Sequence, residues 1–362
     1  MKAQSTFRKV LKTPTGLFGF CVIFFFFLLA LPGYLVTPDA TPQANNMHPE
    51  ISLLKPGTSV NILKFRKDKI EEVGFFSKWI YGEPLQFEEV VVRDWKVEGD
   101  TLFYSELVNK VHALERRVSI NSLGLEEGES VEEDIYEKRT YWLGTDGKFG
   151  RDVMSRLIIG ARISLSVGFV AVFISLTIGI FLGMVSGYFG GKLDAVIMWL
   201  INVMWSLPTL LLIIAISFIL GKGFWIIFIA VGLSMWVDIA RIIRGQVMSV
   251  KEREFISAAK VLGLPNRSIM FKHILPNIKG PIIVIAASNF ASAILLEAGL
   301  SFLGLGVSPP NPSWGTMANE NYGNIVGEFA YLAMVPGIAI MLLVMAFNLL
   351  GNALRDVLDV KM

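Results

Sequence analysis

The sequence predicts an all-α membrane protein with six transmembrane helices and an extra mixed α/β or β-rich domain inserted between the first and second helices. Composition is the first observation: hydrophobic residues make up 53% of the chain and charged residues 18%, whereas soluble domains carry about 25% charged residues. The second is a set of apolar runs, each long enough to cross a bilayer. The third is a polar segment of domain size between the first two runs.

Helices are expected because helices and closed barrels are the only backbone arrangements that satisfy their hydrogen bonds inside lipid. The first run follows a basic tail and is longer than the apolar core of a signal peptide, so it predicts an uncleaved anchor. Pro208 and Pro336 predict bends in the third and sixth helices. The six runs cover residues 17–36, 163–188, 195–220, 224–243, 281–305 and 329–350.

Lysine and arginine predict the orientation, because they concentrate in cytoplasmic loops. The N-terminal tail and the loop between the fourth and fifth helices are basic. Both termini and this loop are therefore expected on the cytoplasmic side of the membrane. This orientation places four basic residues on the external side, in conflict with the charge rule: Lys148, Arg151, Arg156 and Arg162. They adjoin a long external segment, where the rule is weak.

The predicted domains follow from this topology. Residues 1–36 form a cytoplasmic tail and the first helix, residues 37–142 an extracytoplasmic domain, and residues 143–362 a five-helix core with a cytoplasmic loop at about 245–280.

The inserted domain is predicted to be partly β. The stretch FEEVVVRDWKVEGDTLFYSEL at residues 87–107 is rich in β-branched and aromatic residues and is broken at Gly99-Asp100, which is typical of two strands and a turn. Residues 105–117 are predicted to form a short helix. An acidic run lacks the ligand spacing of a calcium loop, so it is expected to be a solvated face: Glu126, Glu127, Glu129, Glu132, Glu133, Asp134 and Glu137.

The chain is not expected to be an enzyme. It contains no phosphate-binding P-loop motif, no H-E-x-x-H and no G-x-S-x-G. Its histidines are far apart in sequence, and its one cysteine, Cys21, lies in the first apolar run, where a small buried hydrophobe is expected. We therefore expect no catalytic residue, no metal, no cofactor and no nucleic-acid partner.

Small residues recur every fourth position in the second apolar run, at Ser175, Gly179, Gly183 and Gly187. This spacing lets the backbone of another helix approach closely. Helix packing is the favoured interpretation, and a transport path along the same face is the alternative.

Ionisable residues inside membrane helices predict functional or buried positions. Asp238 and Arg241 lie three residues apart near the inner end of the fourth helix, so they can share a face and neutralise each other. Glu297 lies inside the fifth helix with no partner evident from the sequence, and it is expected to face other helices or water.

The basic loop SAAKVLGLPNRSIMFKHILPN, residues 257–277, has a second, apolar character. Phe255, Ala258, Ala259 and Leu262 have the spacing of one helical face. Such a face suits either a groove on another protein or the lipid headgroups, and these residues alone leave both interpretations open.

The same loop contains the signals of a helix, a stop and a second helix. Gly263 predicts the end of the first helix, and Pro265 opposes its continuation. Asn266 or Ser268 is expected to cap the second helix, which would carry Ile269, Met270, Phe271 and Ile274.

The stretch EFISAAKVLGLPNRSIMFKHILPN resembles the EAA loop of binding-protein-dependent ABC importer permeases. Three further segments resemble the dipeptide and oligopeptide permease family: LGTDGKFGRDVMSRLIIGARISL, GYFGGKLDAVIM and ILLEAGLSFLGLGVSPPNPSWGTM. AFNLLGNALRDVLD is similar to the C-terminal end of that family. The resemblance covers the chain from Leu143 onward and the N-terminal anchor.

The resemblance implies the type I ABC importer fold, embedded in the lipid of a bacterial inner membrane. It implies a second, homologous permease, two cytoplasmic ABC ATPases that hydrolyse ATP, and an extracytoplasmic solute-binding protein. Ser257 stands where the family often has an acidic residue. The resemblance implies an ATPase-coupling role for Phe255, Ser257, Ala258, Ala259, Leu262, Gly263, Pro265, Ile274, Leu275 and Pro276.

The expected function is therefore a permease subunit that forms a path for peptides or similar small solutes. Two alternatives remain open at this point. The first is a permease of the same family for nickel chelates or another non-peptide solute. The second is a membrane-anchored receptor or assembly protein that acts through its extracytoplasmic domain.

Overall fold

The structure is a computed structural model that describes residues 2–67, 73–123, 130–221 and 223–359. The strands are β1 (Thr58–Arg66), β2 (Phe87–Glu98), β3 (Thr101–Leu107), β4 (Ala113–Ser119) and β5 (Tyr136–Tyr141). The helices are α1 (Lys2–Leu11), α2 (Pro14–Ala30), α3 (Phe75–Tyr81), α4 (Val153–Phe189), α5 (Gly191–Trp205), α6 (Thr209–Leu220), α7 (Ile226–Ser234), α8 (Trp236–Lys251), α9 (Glu254–Val261), α10 (Asn266–Ser268), α11 (Leu275–Asn277), α12 (Lys279–Phe302), α13 (Trp314–Glu320) and α14 (Tyr331–Asp359).

The chain divides into two units. The first, which we call the helical unit, comprises residues 1–28, 163–308 and 337–362. The second, the sheet unit, comprises residues 29–162 and 309–336.

Within the described residues, four helical segments are long and apolar enough to cross a membrane: α4, the α7–α8 segment Ile226–Lys251, α12 and α14. α5 and α6 qualify only as a pair, bent by 98° at the break between them. Pro208 lies in that break as the residue before α6, so the predicted bend is confirmed. Pro336, by contrast, lies inside the continuous helix α14.

The N-terminal apolar helix α2 has 17 residues and ends earlier than its apolar run. The backbone leaves the helix after Ala30, and Gly33 adopts a φ of +50°. Cys21 is exposed on α2, so the prediction that it is buried is wrong. Since lipid tails are as apolar as a protein core, a membrane helix need not bury its hydrophobic residues against protein.

The sheet unit contains a five-stranded antiparallel sheet in the order β4-β3-β2-β1-β5. Successive residues of a strand point to opposite faces. Leu63 and Val92 therefore belong to one apolar cluster, while their neighbours Ile62 and Val91 belong to another. Both faces of the central strands are buried, which explains the continuous run of valines in β2. The predicted β-strands around Gly99 are confirmed, with Gly99 in the left-handed region at φ +60°.

The helix predicted at residues 105–117 is wrong. This segment forms the end of β3, a turn, and most of β4, with Ser105 opposite Glu115 in the ladder. The Asn109 side chain accepts hydrogen bonds from the backbone N–H groups of Val111 and His112 at 2.9 and 2.8 Å. Strand pairing between β3 and β4 and the Asn109 turn satisfy the backbone hydrogen bonds of this segment. The helical spacing of its apolar residues therefore does not decide its secondary structure.

Of the acidic run, Glu126, Glu127 and Glu129 lie outside the described residues. Glu132, Glu133 and Asp134 lie in a π-helical turn before β5 and are exposed, as expected of a solvated face. Glu137 differs, because its carboxylate accepts hydrogen bonds from Arg139 at 2.8 and 3.0 Å and pairs with Lys64 at 2.6 Å.

A buried ionic network joins the start of the sheet unit to its sheet. Arg139 on β5 donates two hydrogen bonds to Glu89 on β2, at 2.7 and 2.8 Å. His48 lies 3.2 Å from the same carboxylate and 3.0 Å from Glu50. Burial by itself lowers the pKa of His48, but the bonds to Glu50 and Glu89 outweigh it and raise this pKa to about 9. Burial raises the pKa of Glu89, yet His48 and Arg139 together hold it far below its usual value. The network is therefore charged at neutral pH.

Two of the four basic residues that conflict with the charge rule are neutralised by carboxylates within the sheet unit. Arg151 pairs with Asp146 at 2.5 Å and with Glu320 at 2.7 Å. Arg156 pairs with the same Glu320 at 3.2 Å, and both arginines are buried. Their charge is compensated locally, so they carry little weight as an orientation signal.

Candidate functional site

The loop between α8 and α12 is a helix, a glycine stop and a second helix, as predicted. The N–H of Gly263 donates to the Lys260 carbonyl at 3.0 Å, and that of Leu264 to the Ala259 carbonyl at 3.2 Å. This pair of bonds is the Schellman arrangement, which requires a left-handed residue after the helix. Gly263 supplies it with a φ of +73°.

Gly263 gives a prediction about coupling. A Cβ added there meets no atom within 4 Å, so the strain of Gly263→Val comes from the backbone alone and costs on the order of 1–3 kcal/mol. The stop is expected to deform while α9 stays exposed. If the loop couples to ATPases, as its resemblance to the EAA loop implies, they remain bound but ATP hydrolysis no longer drives uptake. The hydrolysis-to-uptake ratio in proteoliposomes measures this. Gly263→Asn, which tolerates the left-handed region, is the control; equal ratios for both variants would contradict the prediction.

One face of α9 packs inward. Ile256 is fully buried and Ala259 is 4% exposed. The prediction that Ala259 shares an exposed face with Phe255, Ala258 and Leu262 is therefore wrong. Ile256 and Ala259 lie three residues apart, on the same side of the helix, and the apolar cluster of the loop takes this side.

The exposed face of α9 is more apolar than predicted. Ser257 and Ala258 are exposed, and Phe255 is 40% exposed. Val261 and Leu262 are 87% and 79% exposed. The sequence analysis did not single out Val261, although it lies three residues after Ala258 and thus beside it on the helix.

The second helix does not have the predicted cap. Pro265, exposed, is the residue before α10, and neither Asn266 nor Ser268 caps the helix with its side chain. Asn266 instead accepts a 2.7 Å hydrogen bond from the Tyr188 hydroxyl at the end of α4. The side-chain oxygen of Asn266, which could have capped the helix, is therefore occupied by a long-range hydrogen bond from Tyr188.

The rest of the second helix alternates between core and surface. It passes through a π-helical turn at Ile269–Ile274 into α11. Ile269, Met270 and Ile274 are buried, Leu275 is half-buried against them, and Pro276 is exposed.

The buried side of the loop is continuous with the membrane helices. Its apolar residues share one cluster with the ends of α4 and α8. The loop thus contacts these helices by direct packing, and close-packed interiors deform little. The cluster contains Met184, Tyr188, Ile239, Ile243, Val247, Val250, Ile256, Ala259, Ile269, Met270, Ile274, Ile278 and Ile285.

The small residues of α4 lie against α8. A Cβ on Gly179 would come within 2.6 Å of Ile239, and one on Gly183 within 2.6 Å of the Ala240 carbonyl oxygen. One on Gly187 would come within 2.7 Å of the Arg244 carbonyl oxygen. Helix packing therefore accounts for Gly179 and Gly183, and it fixes α4 to the helix that leads into the loop.

A second link between these helices was not predicted. Arg244 on α8 donates two hydrogen bonds of 2.6 Å to the two carboxylate oxygens of Asp194 on α5. Ser186 on α4 donates to the same carboxylate. Three helices thus meet at one side chain near the loop. Asp194 lies in GYFGGKLDAVIM, so the resemblance contained this signal, but its partner lies about fifty residues away.

Asp238 and Arg241 do not form the ion pair predicted from their spacing. Asp238 accepts a 2.8 Å hydrogen bond from the Trp205 indole, and the Arg241 guanidinium lies 4.2 Å from the centre of the same ring. An aromatic ring attracts a cation over its face and donates through its N–H. Trp205, at the bend between α5 and α6, is thus the shared partner.

Glu297 is fully buried in α12, as expected of an ionisable residue that faces other helices. It accepts a hydrogen bond from Ser301 at 2.7 Å and one from Ser164 on α4 at 3.4 Å. The glutamate therefore joins α12 to α4 by polar contacts.

Comparisons with known proteins identify the family of the chain. Residues 179–362 match the family described as binding-protein-dependent transport system inner membrane component. The chain is 44% identical to the dipeptide transport system permease protein DppC of Alkalihalophilus pseudofirmus, over 61% of this chain and 72% of that protein. It is 39% identical to the oligopeptide transport system permease protein OppC of Bacillus subtilis, over 62% and 73%. It is 40% identical to the glutathione transport system permease protein GsiD of Pectobacterium atrosepticum, over 61% and 73%.

Proposed function

This chain belongs to the family of binding-protein-dependent transport system inner membrane components, and from that premise we propose that it forms half of a transmembrane path for peptides in a type I ABC importer. The other half is a second, homologous permease. The related proteins named above transport dipeptides, oligopeptides and glutathione, all of which are peptides. This shared chemistry favours peptides over nickel chelates. The match over residues 179–362 favours transport over a receptor that acts through the inserted domain.

The single observation that carries the coupling mechanism is the two-sided helix α9. Its outer side presents Phe255, Ala258, Val261 and Leu262, while its inner side is packed on α4 and α8. An ATPase that holds the outer side moves the helices through the inner side. ATP binding then favours one of two packings of the membrane helices. An extracytoplasmic binding protein supplies the peptide, and ATP hydrolysis resides in the ATPases.

Uptake by the assembled complex tests the function. The chain, copurified with the ATPases and the second permease of its complex, is placed in proteoliposomes with the binding protein of the same system. ATP-dependent accumulation of a radiolabelled dipeptide or oligopeptide is expected, and nickel chelates should not compete. ATP-dependent accumulation of a nickel chelate, without accumulation of peptide, would replace the peptide assignment.

The topology that accompanies this function has six spans, with α2 and the bent α5–α6 pair each counted as one. Both termini and the α8–α12 loop are cytoplasmic, and the sheet unit is outside. The compensated charges of Arg151 and Arg156 remove the main objection to this orientation.

Thiol labelling of intact cells with a permeabilised outer membrane tests the orientation. In a Cys21→Ser background, a cysteine at Val111 is expected to react with an impermeant reagent, and a cysteine at Val261 only after lysis. Both side chains are highly exposed on the chain itself. The lysed sample is stripped of ATPases before labelling, because docking on α9 would cover Val261. The reverse pattern would invert the topology.

A further inference from the structure

The short helix α3 presents an unusually apolar surface in the sheet unit. Phe75, Phe76, Ile80 and Tyr81 are all exposed, with Phe76 at 73%. The rings of Phe75 and Phe76 lie edge to face, 5.8 Å apart. A helix of seven residues thus exposes four bulky side chains, and large exposed apolar surface marks a binding site.

The back of α3 is fixed to the segment that follows α2. The Trp79 indole donates a 2.7 Å hydrogen bond to the carbonyl of Leu31, and Leu31 is the residue after the last one of α2. Leu31, Leu35 and Val36 are themselves exposed and apolar. The apolar surface of α3 is therefore tied to the point where an apolar helix ends.

A second attachment leads to the start of another apolar run. Arg162 donates a 2.8 Å hydrogen bond to the carbonyl of Trp79, at the C-terminal end of α3. Its guanidinium also lies 5.8 Å from the centre of the Trp79 ring. Gly33 permits this approach, since a Cβ there would lie 3.0 Å from Arg162 Nη1. Arg162 directly precedes the apolar run that begins at Ile163.

We infer that α3 is a membrane-interface anchor, whose Phe75, Phe76, Ile80 and Tyr81 insert into the lipid headgroup region. Both of its attachments are at residues that border membrane-spanning apolar segments, and that is the depth of the bilayer surface. Tyrosine and tryptophan are enriched at this depth because they combine an apolar body with a polar group. Phenylalanine is typical of the apolar face of an interfacial helix. The occupant of the patch is therefore lipid. The anchor holds α3 of the sheet unit at the membrane surface. This proposal does not depend on which solute is transported.

Depth-dependent quenching tests the anchor in the full-length chain in lipid nanodiscs. In a Cys21→Ser background, an environment-sensitive fluorophore is attached to cysteine at Phe76, and separately at Val111, which is equally exposed in the same unit. A blue-shifted emission at 76, with several-fold stronger quenching by lipids that carry a nitroxide near the headgroup than at 111, is expected.

A second site guards against loss of the native residue. Ser77→Cys labels the same helix and retains all four apolar side chains, and it is expected to behave as Phe76→Cys does. Unchanged gel filtration and tryptic patterns establish that the variants are folded. Blue-shifted emission without lipid quenching at both sites would show a protein partner and overturn the proposal, as would emission and quenching equal to those at 111. Neither result would bear on the proposal that the chain transports peptides.

Discussion

Replacement of Ala258 by Asp is expected to release the ATPases from the complex while the chain still inserts normally. Ala258 is exposed in the middle of the apolar face of α9, with Phe255 three residues before it and Leu262 four residues after it. In the docked state the new carboxylate would be buried without a partner. Such burial costs several kcal/mol, which lowers affinity by more than about a hundredfold.

The measurement is the amount of ATPase that copurifies with tagged permease, relative to wild type. Ser257→Asp is the matched control, because it adds the same charge at the adjacent exposed position, where the family often carries an acidic residue. It is expected to retain the ATPases. If α9 rested on lipid headgroups instead, Ala258→Asp would leave the ATPase band undiminished, and the coupling assignment would fail.

Replacement of Arg139 by Leu is expected to destabilise the sheet unit by roughly 3 kcal/mol, since removal of one partner of a buried ion pair leaves the other charge incompletely compensated. Glu89 is 5% exposed and would lose two hydrogen bonds to the guanidinium. His48 would remain as its charged partner, which holds the loss at the lower end of the range for buried pairs. Glu137 would keep its contact with Lys64.

Pulse proteolysis of the full-length protein in detergent measures this loss as a fall in the urea concentration at which the sheet unit becomes susceptible to trypsin. Lys96→Leu is the control, because Lys96 forms an exposed pair with Glu98 on the same sheet and exposed pairs contribute little. A fall no larger than that of the control would mean that the buried network does not stabilise the domain.

Local chemistry made several features predictable from the sequence. Long apolar runs identify membrane helices because lipid leaves the backbone few alternatives. Gly263 follows the end of α9, and Gly99 lies in the turn between β2 and β3. Both adopt left-handed backbone angles that are unfavourable for other residues. The spacing of small residues in α4 predicts a close helix neighbour, and the structure shows that this neighbour is α8.

Tertiary contacts decided what neighbouring residues could not. Ala258 and Ala259 are both small and apolar, and only the cluster around Ile256 shows that Ala259 faces inward. Residues 105–117 have a helical pattern, yet pairing with β3 makes most of them strand.

The charged side chains show the same limit most plainly. Arg244 pairs with Asp194, while Asp238 and Arg241 meet at Trp205 and not with each other. The sequence determined that these charges needed partners, because an unpaired charge away from water is costly. Which partners they have was decided by the folded chain, since the energy of a charge depends on distance in space and carries no record of separation in sequence.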